Sequence, residues 1–184
     1  MKRSALAAIL TLAVLAAMVL RLYGSAYPIA PDGSNLESYA ADYLARGASD
    51  PGPLKLYESI DLGDRRWTLM EWGEDLGALR LEKGLNGRFR LTGASYGSAN
   101  FQEWVVEAGG GKYFLLGGRN ACFNIGQVTV TLSGREYHMD IPEGDRFFTA
   151  VEVDSRTEEN RAGPESLRFY DRAGNELTEQ IRWN

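Results

Sequence analysis

The chain has one cysteine and one histidine among its 184 residues. A lone cysteine, Cys122, excludes an intrachain disulfide, so stability has to come from a packed core. It also excludes a zinc ribbon, and no P-loop, dinucleotide-fold or Cys-His nucleophile pattern occurs. Cys122 sits beside Phe123 with no neighbouring His or Lys to lower its pKa, and it reads as a small apolar residue in a loop. A basic surplus is missing as well. The formal charge of -5 includes Lys2, Arg3 and Arg21, so the remainder stands at -8, three units more negative than the whole. Apart from local basic patches, a domain of that sign disfavours nucleic acid and anionic headgroups at long range.

What is present is a nearly unbroken apolar run from Ala5 to Leu20, preceded by Lys2 and Arg3 and closed by Arg21, Leu22 and Tyr23. With no polar face, it does not suit a helix buried in a soluble core. Two readings stand. One is a membrane anchor over residues 4–23, since a span needs about 17 to 20 apolar residues, with Arg21 and Tyr23 suited to the far headgroup layer. The other is a secretory signal cut at the small residues Gly24-Ser25-Ala26, which leaves Tyr27 as the new N-terminus. Both export the rest of the chain. The expected location is the cell membrane, single-pass with the C-terminal domain outside, or secreted after cleavage near Ala26.

Three segments follow from composition: residues 1–23 as anchor or signal, 24–54 as a spacer with a short helix, and 55–184 as an extracytoplasmic domain. Pro28, Pro31 and Gly33 break regular structure. Ser34 and Glu37 have capping-box spacing, and Leu36, Tyr39, Ala40, Tyr43 and Leu44 form an apolar stripe that Gly47 ends. From Lys55 onward helical periodicity is absent. Strand formers recur at 55–62, 66–72, 78–83, 88–93, 101–108, 112–117, 127–132, 135–141, 146–153, 166–170 and 177–183, with glycine-bearing turns such as Leu85-Asn86-Gly87 and Ser133-Gly134 between them.

Phe89 and Leu91 alternate with Arg88, Arg90 and Thr92, and Val128, Val130 and Leu132 with Thr129 and Thr131. The expected fold is therefore all-β, an antiparallel sandwich or open barrel of about ten short strands with one wet face per strand. Trp67, Leu69, Trp104, Val106, Phe147, Val151, Leu167, Phe169, Ile181 and Trp183 complete the expected core. The polar stretch from Asp154 to Glu165 reads as a long mobile loop.

Gly93-Ala94-Ser95-Tyr96-Gly97 spells a nucleophile elbow, but its flanks read as strands, and the only base of the right kind is His138. Glu136, His138 and Asp140 share one face of a strand. Their spacing of about 7 Å is too wide for one ion, so they read as a solvated face. Glu71, Glu74 and Asp75 gather acid around Trp72-Gly73 without calcium-loop spacing. Trp72 falls on the face opposite Trp67 and Leu69, and Trp72, Glu74 and Asp75 are the candidate binding residues.

The segments Lys55–Ser59, Arg66–Trp72, Leu76–Gly87, Tyr113–Asn120 and Phe169–Glu176, following an anchor and a short helix, resemble small uncharacterised membrane-anchored proteins of Gram-positive bacteria. That resemblance implies an architecture and no activity. The expected role is a non-enzymatic binding or interaction module of the cell envelope, without cofactor or metal, whose partner is an envelope protein or glycan and not nucleic acid. The alternative is a secreted or anchored hydrolase using the acidic residues or Ser95.

Overall fold

A computed structural model describes residues 2–46 and 52–181, with side chains from Leu10 onward in the first helix. Gly47 and Trp183, expected as helix stop and core residue, lie outside the described residues. Two helices precede the sheets: α1 (Lys2–Ala26) and α2 (Leu36–Ala45). The large apolar side chains of α1 from Leu10 to Leu22 are more than half exposed. Among the described residues no helix is long and apolar enough to cross a membrane. The expected anchor segment is thus helical, and its assignment to a bilayer rests on sequence.

Ten strands follow. β1 (Leu54–Leu62), β2 (Arg65–Trp72), β3 (Asp75–Lys83) and β4 (Phe89–Gly97) form an antiparallel meander. β5 (Phe101–Ala108), β6 (Gly111–Arg119) and β9 (Arg146–Val153) form a second sheet, and β10 (Leu167–Asp171), β7 (Ile125–Leu132) and β8 (Arg135–Asp140) a third, each in that order. Among the described residues the strands form three separate antiparallel sheets, none of them closed. The strand expected over 177–183 is instead a 3-10 turn at Thr178–Gln180, with 182–184 outside the described residues. Ser133 and Gly134 both adopt positive φ, 47° and 73°, as a two-residue type I′ hairpin turn requires.

The sheets stack in three layers. Trp67, Leu69, Leu76 and Ala78 of the meander pack against Leu115 and Phe148 of the β5–β6–β9 sheet. The other face of that sheet sends Phe101, Phe114, Leu116 and Phe147 against Val128, Val130, Leu167 and Phe169 of the third. The expected core residues therefore divide between two cores. Trp104 and Val106 face the meander, while Phe147 and Val151 face the third sheet. One wet face per strand does not hold for the middle sheet, because period-two alternation delivers apolar side chains to both sides of it.

The meander's outer face is covered too. Leu36, Ala40 and Leu44, one stripe of α2, pack with Ile29 on Met70, Leu79, Leu81 and Phe89. Tyr39 and Tyr43 of the expected stripe stay outside, about two-fifths exposed. The N-cap is Asn35 rather than Ser34, and it makes no side-chain cap bond. Its side chain turns back to hold the spacer, accepting from Ala30 N at 2.8 Å and donating to Pro28 O at 3.1 Å. Ile29 pairs with Phe89 through reciprocal 2.9 Å backbone bonds, so the spacer is stitched to β4.

The segment expected as a mobile loop is pinned. Glu103, buried in β5, accepts from Ala162 N at 2.6 Å and Gly163 N at 3.2 Å. Val105 N donates to Asn160 O, Lys112 donates to Thr157 O, and Glu159 accepts from Ser133 N. Most of these contacts use the segment's own backbone amides and carbonyls, with the Glu159 carboxylate the one polar side chain among them.

Gly117 and Gly118 leave room for their neighbours on the two faces of β6. A Cβ on Gly117 would lie 2.5 Å from Leu69 Cδ1, toward the meander. One on Gly118 would lie 2.5 Å from Phe101 Cδ1 and 2.6 Å from Phe147, toward the third sheet. Gly118→Ala is expected to destabilise the protein by about 1–3 kcal/mol through overpacking. In urea unfolding followed by tryptophan fluorescence, this appears as a lower midpoint at unchanged slope.

Candidate functional site

Strand alternation places Trp67, Leu69 and Glu71 on the face of β2 turned toward the middle sheet, with Met70 and Trp72 on the other. Glu71 is the last inward position before the Gly73-Glu74 turn. It meets the end of the middle sheet, where Arg119 of β6 is paired directly across from Arg146 of β9. Like charges opposed in a ladder repel, and the Glu71 carboxylate lies between them.

Glu71 Oε1 accepts from Arg119 Nε at 2.9 Å and from Arg146 Nε at 2.8 Å. Its Oε2 accepts from the Tyr57 hydroxyl at 2.5 Å. Tyr57 lies where the β1–β2 register breaks between Leu56 and Ser59. Arg119 Nη2 also donates to Glu74 O at 2.6 Å, and Arg146 Nη1 to Asp145 O at 2.9 Å. Burial alone would raise the Glu71 pKa; bonds from Tyr57, Arg146 and Arg119 outweigh it and hold the carboxyl at about 2. The Tyr57 phenol is pushed up, by burial first and then by its bond to the carboxylate.

The cluster carries two guanidiniums to one carboxylate, with side-chain exposures of 22% for Arg119, 27% for Arg146 and 9% for Glu71. Beside it lies an open hollow of about 310 Å³ lined by Leu56, Tyr57, Glu58, Leu69, Arg146 and Phe147. Glu71 accepts from three donors, two of them across the seam between sheets, and with its carboxyl held at about 2 it clamps the two sheets together. Among the described residues no group of acidic, His or Cys side chains could hold a metal ion.

The structure divides the expected acidic cluster. Glu71 is internal, Glu74 exposed on the turn, and Asp75 half-buried at the start of β3. Trp72 does face away from Trp67, but it packs at the edge of the core under α2, edge-on to Tyr96 at 5.0 Å. Ser95 lies within β4, paired with Ala78, and no strand-to-helix elbow forms. Glu136, His138 and Asp140 are exposed on β8, with His138 Nδ1 3.0 Å from Thr129 Oγ1. Cys122 is a free thiol on an exposed turn.

The chain matches no known family model, curated protein or solved structure. The site is therefore read from its own residues. Arg119, Arg146 and Tyr57 were not singled out by sequence, although a signal existed: Glu71 shares the alternation of Trp67 and Leu69, and a core-facing carboxylate demands cationic partners.

Glu71→Gln leaves two arginines facing each other without a counter-charge, and a loss of about 2–3 kcal/mol in folding stability is expected. Because the folded pKa lies below the ordinary carboxylate value, Glu71's contribution is complete above about pH 4.5 and is lost as pH falls toward 2. Urea midpoints of the wild type should drop across that window more steeply than those of Glu71→Gln.

Proposed function

We propose that this chain is a membrane-tethered, extracytoplasmic β-domain acting as a binding or interaction module of the cell envelope, not as an enzyme. The observation that carries the reading is α1. Its large apolar side chains from Leu10 to Leu22 are more than half exposed, no β-strand covers them, and basic residues bracket the apolar run in sequence. A helix greasy on every side is unfavourable in water and favourable in lipid. The resemblance to small membrane-anchored proteins of Gram-positive bacteria supports the same architecture.

The placement of Ser95 within a strand and the engagement of Glu71 by three donors, with its carboxyl held at about 2, favour binding over hydrolysis. Within the domain, the hollow beside Tyr57 and Arg146 combines apolar walls with a partly exposed guanidinium. Such a surface suits an envelope protein or a glycan, with Tyr57 as the ring on which an apolar or sugar face rests.

Full-length protein is expected to stay in the membrane pellet through alkaline extraction, and its domain to be cleaved by protease added to intact cells. Removal of residues 5–20 should release it to the soluble fraction. Recovery of the intact chain among soluble cytosolic proteins would overturn the reading.

A further inference from the structure

The C-terminal turns of α1 rest on the β3–β4 hairpin. Tyr23 Oη accepts from Leu85 N at 2.6 Å, and the Tyr23 and Tyr27 rings lie 4.9 Å apart. Arg88 Nε donates to Tyr27 O at 2.9 Å, its Nη2 donates to Pro28 O, and the Arg90 guanidinium lies 5.2 Å from the Tyr27 ring. Gly84 permits this approach, since a Cβ there would sit 2.9 Å from both the Tyr23 hydroxyl and Tyr27 Cδ1. Helix end and hairpin tip are therefore one bonded unit, and where α1 goes the tip follows.

The tip carries Leu85, 99% exposed. Outside α1 it is the only large aliphatic side chain so exposed among the described residues. Packing within the domain gives no reason for it, and a turn position ordinarily takes a polar residue. Around it stand Tyr23 and Tyr27, with Arg21 and Lys83 exposed and Arg90 paired to Glu82 at 2.7 Å. Tyrosines, a protruding leucine and cations form the composition of the bilayer interface, where rings sit at headgroup depth and Lys and Arg reach phosphates. This basic end belongs to a chain that is acidic overall.

We infer that the β3–β4 hairpin is a second membrane contact, with Leu85 entering the interfacial layer where α1 leaves the bilayer and Lys83 and Arg21 meeting headgroup phosphates. The inference rests on α1 being the anchor. Two points of attachment fix the inclination of the β-domain, and they put the Gly97 end of β4 about 30 Å along the strand from the contact.

The test uses full-length Cys122→Ser protein in phosphatidylcholine vesicles, with a fluorophore on a single cysteine at Leu15, Leu85 or Ser98. The quencher is phosphatidylcholine carrying a doxyl group high on its acyl chain. Ser98 follows the far end of β4 and is exposed, so its probe reports non-specific attraction of the dye to lipid. Loss of emission at Leu15 and Leu85 with none at Ser98 is the expected result. Quenching at Leu15 with Leu85 no more affected than Ser98 would overturn the hairpin contact and leave the anchor standing. Emission unchanged at all three positions would remove the anchor and the contact together.

Discussion

The sheet of β5, β6 and β9 has no face left for water, and most of the architecture answers to that constraint. A sheet covered on both sides must fill two cores with successive residues of the same strands. Phe114 and Leu116 go one way and Leu115 the other, and Phe147 and Phe148, adjacent in sequence, end in different layers. Close stacking on the meander leaves no room beside Leu69, which Gly117 meets by having no side chain, and on the other face Gly118 leaves space for Phe101 and Phe147 of its two flanking strands. Pairing of β6 with β9 sets Arg119 across from Arg146, and Glu71 from the neighbouring sheet bridges the two.

Much of this was legible from residue pattern. Ten of the eleven expected strands occur with boundaries shifted by a few residues, because Gly and Asn turns punctuate them and period two runs through them. Alternation alone does not say which strands share a sheet, so a two-layer sandwich was the simplest expectation. The adjacent Phe147 and Phe148, and the unbroken Tyr113 to Leu116 run, were the local signs of burial on both faces. The 154–165 segment misled for a physical reason. Its backbone amides donate to Glu103, its Thr157 carbonyl accepts from Lys112 and its Glu159 carboxylate accepts from Ser133, contacts remote in sequence. Glu71 was grouped with Glu74 and Asp75 by proximity along the chain, although its register on β2 belongs with Trp67 and Leu69.

The candidate site follows from the same geometry. Trp72 falls on the predicted face, but α2 claims that face through Leu36, Ala40 and Leu44, and the tryptophan becomes a partly buried edge of a core. A concave surface lies at the β1 irregularity, where Tyr57 leaves the regular ladder and Arg146 begins β9. A polar group placed at the seam between two sheets first satisfies the seam, and only its exposed remainder is open to a ligand.

The order in which strands enter the sheets has a consequence for biogenesis. β9 leaves its neighbours β7 and β8 to complete the sheet begun by β5 and β6, and β10 then returns to close the sheet of β7. The meander can assemble as it emerges from the ribosome, whereas the two later sheets each wait for a strand from the last third of the chain. Neither core around the middle sheet is whole before that, so both can form only once nearly the full polypeptide is present.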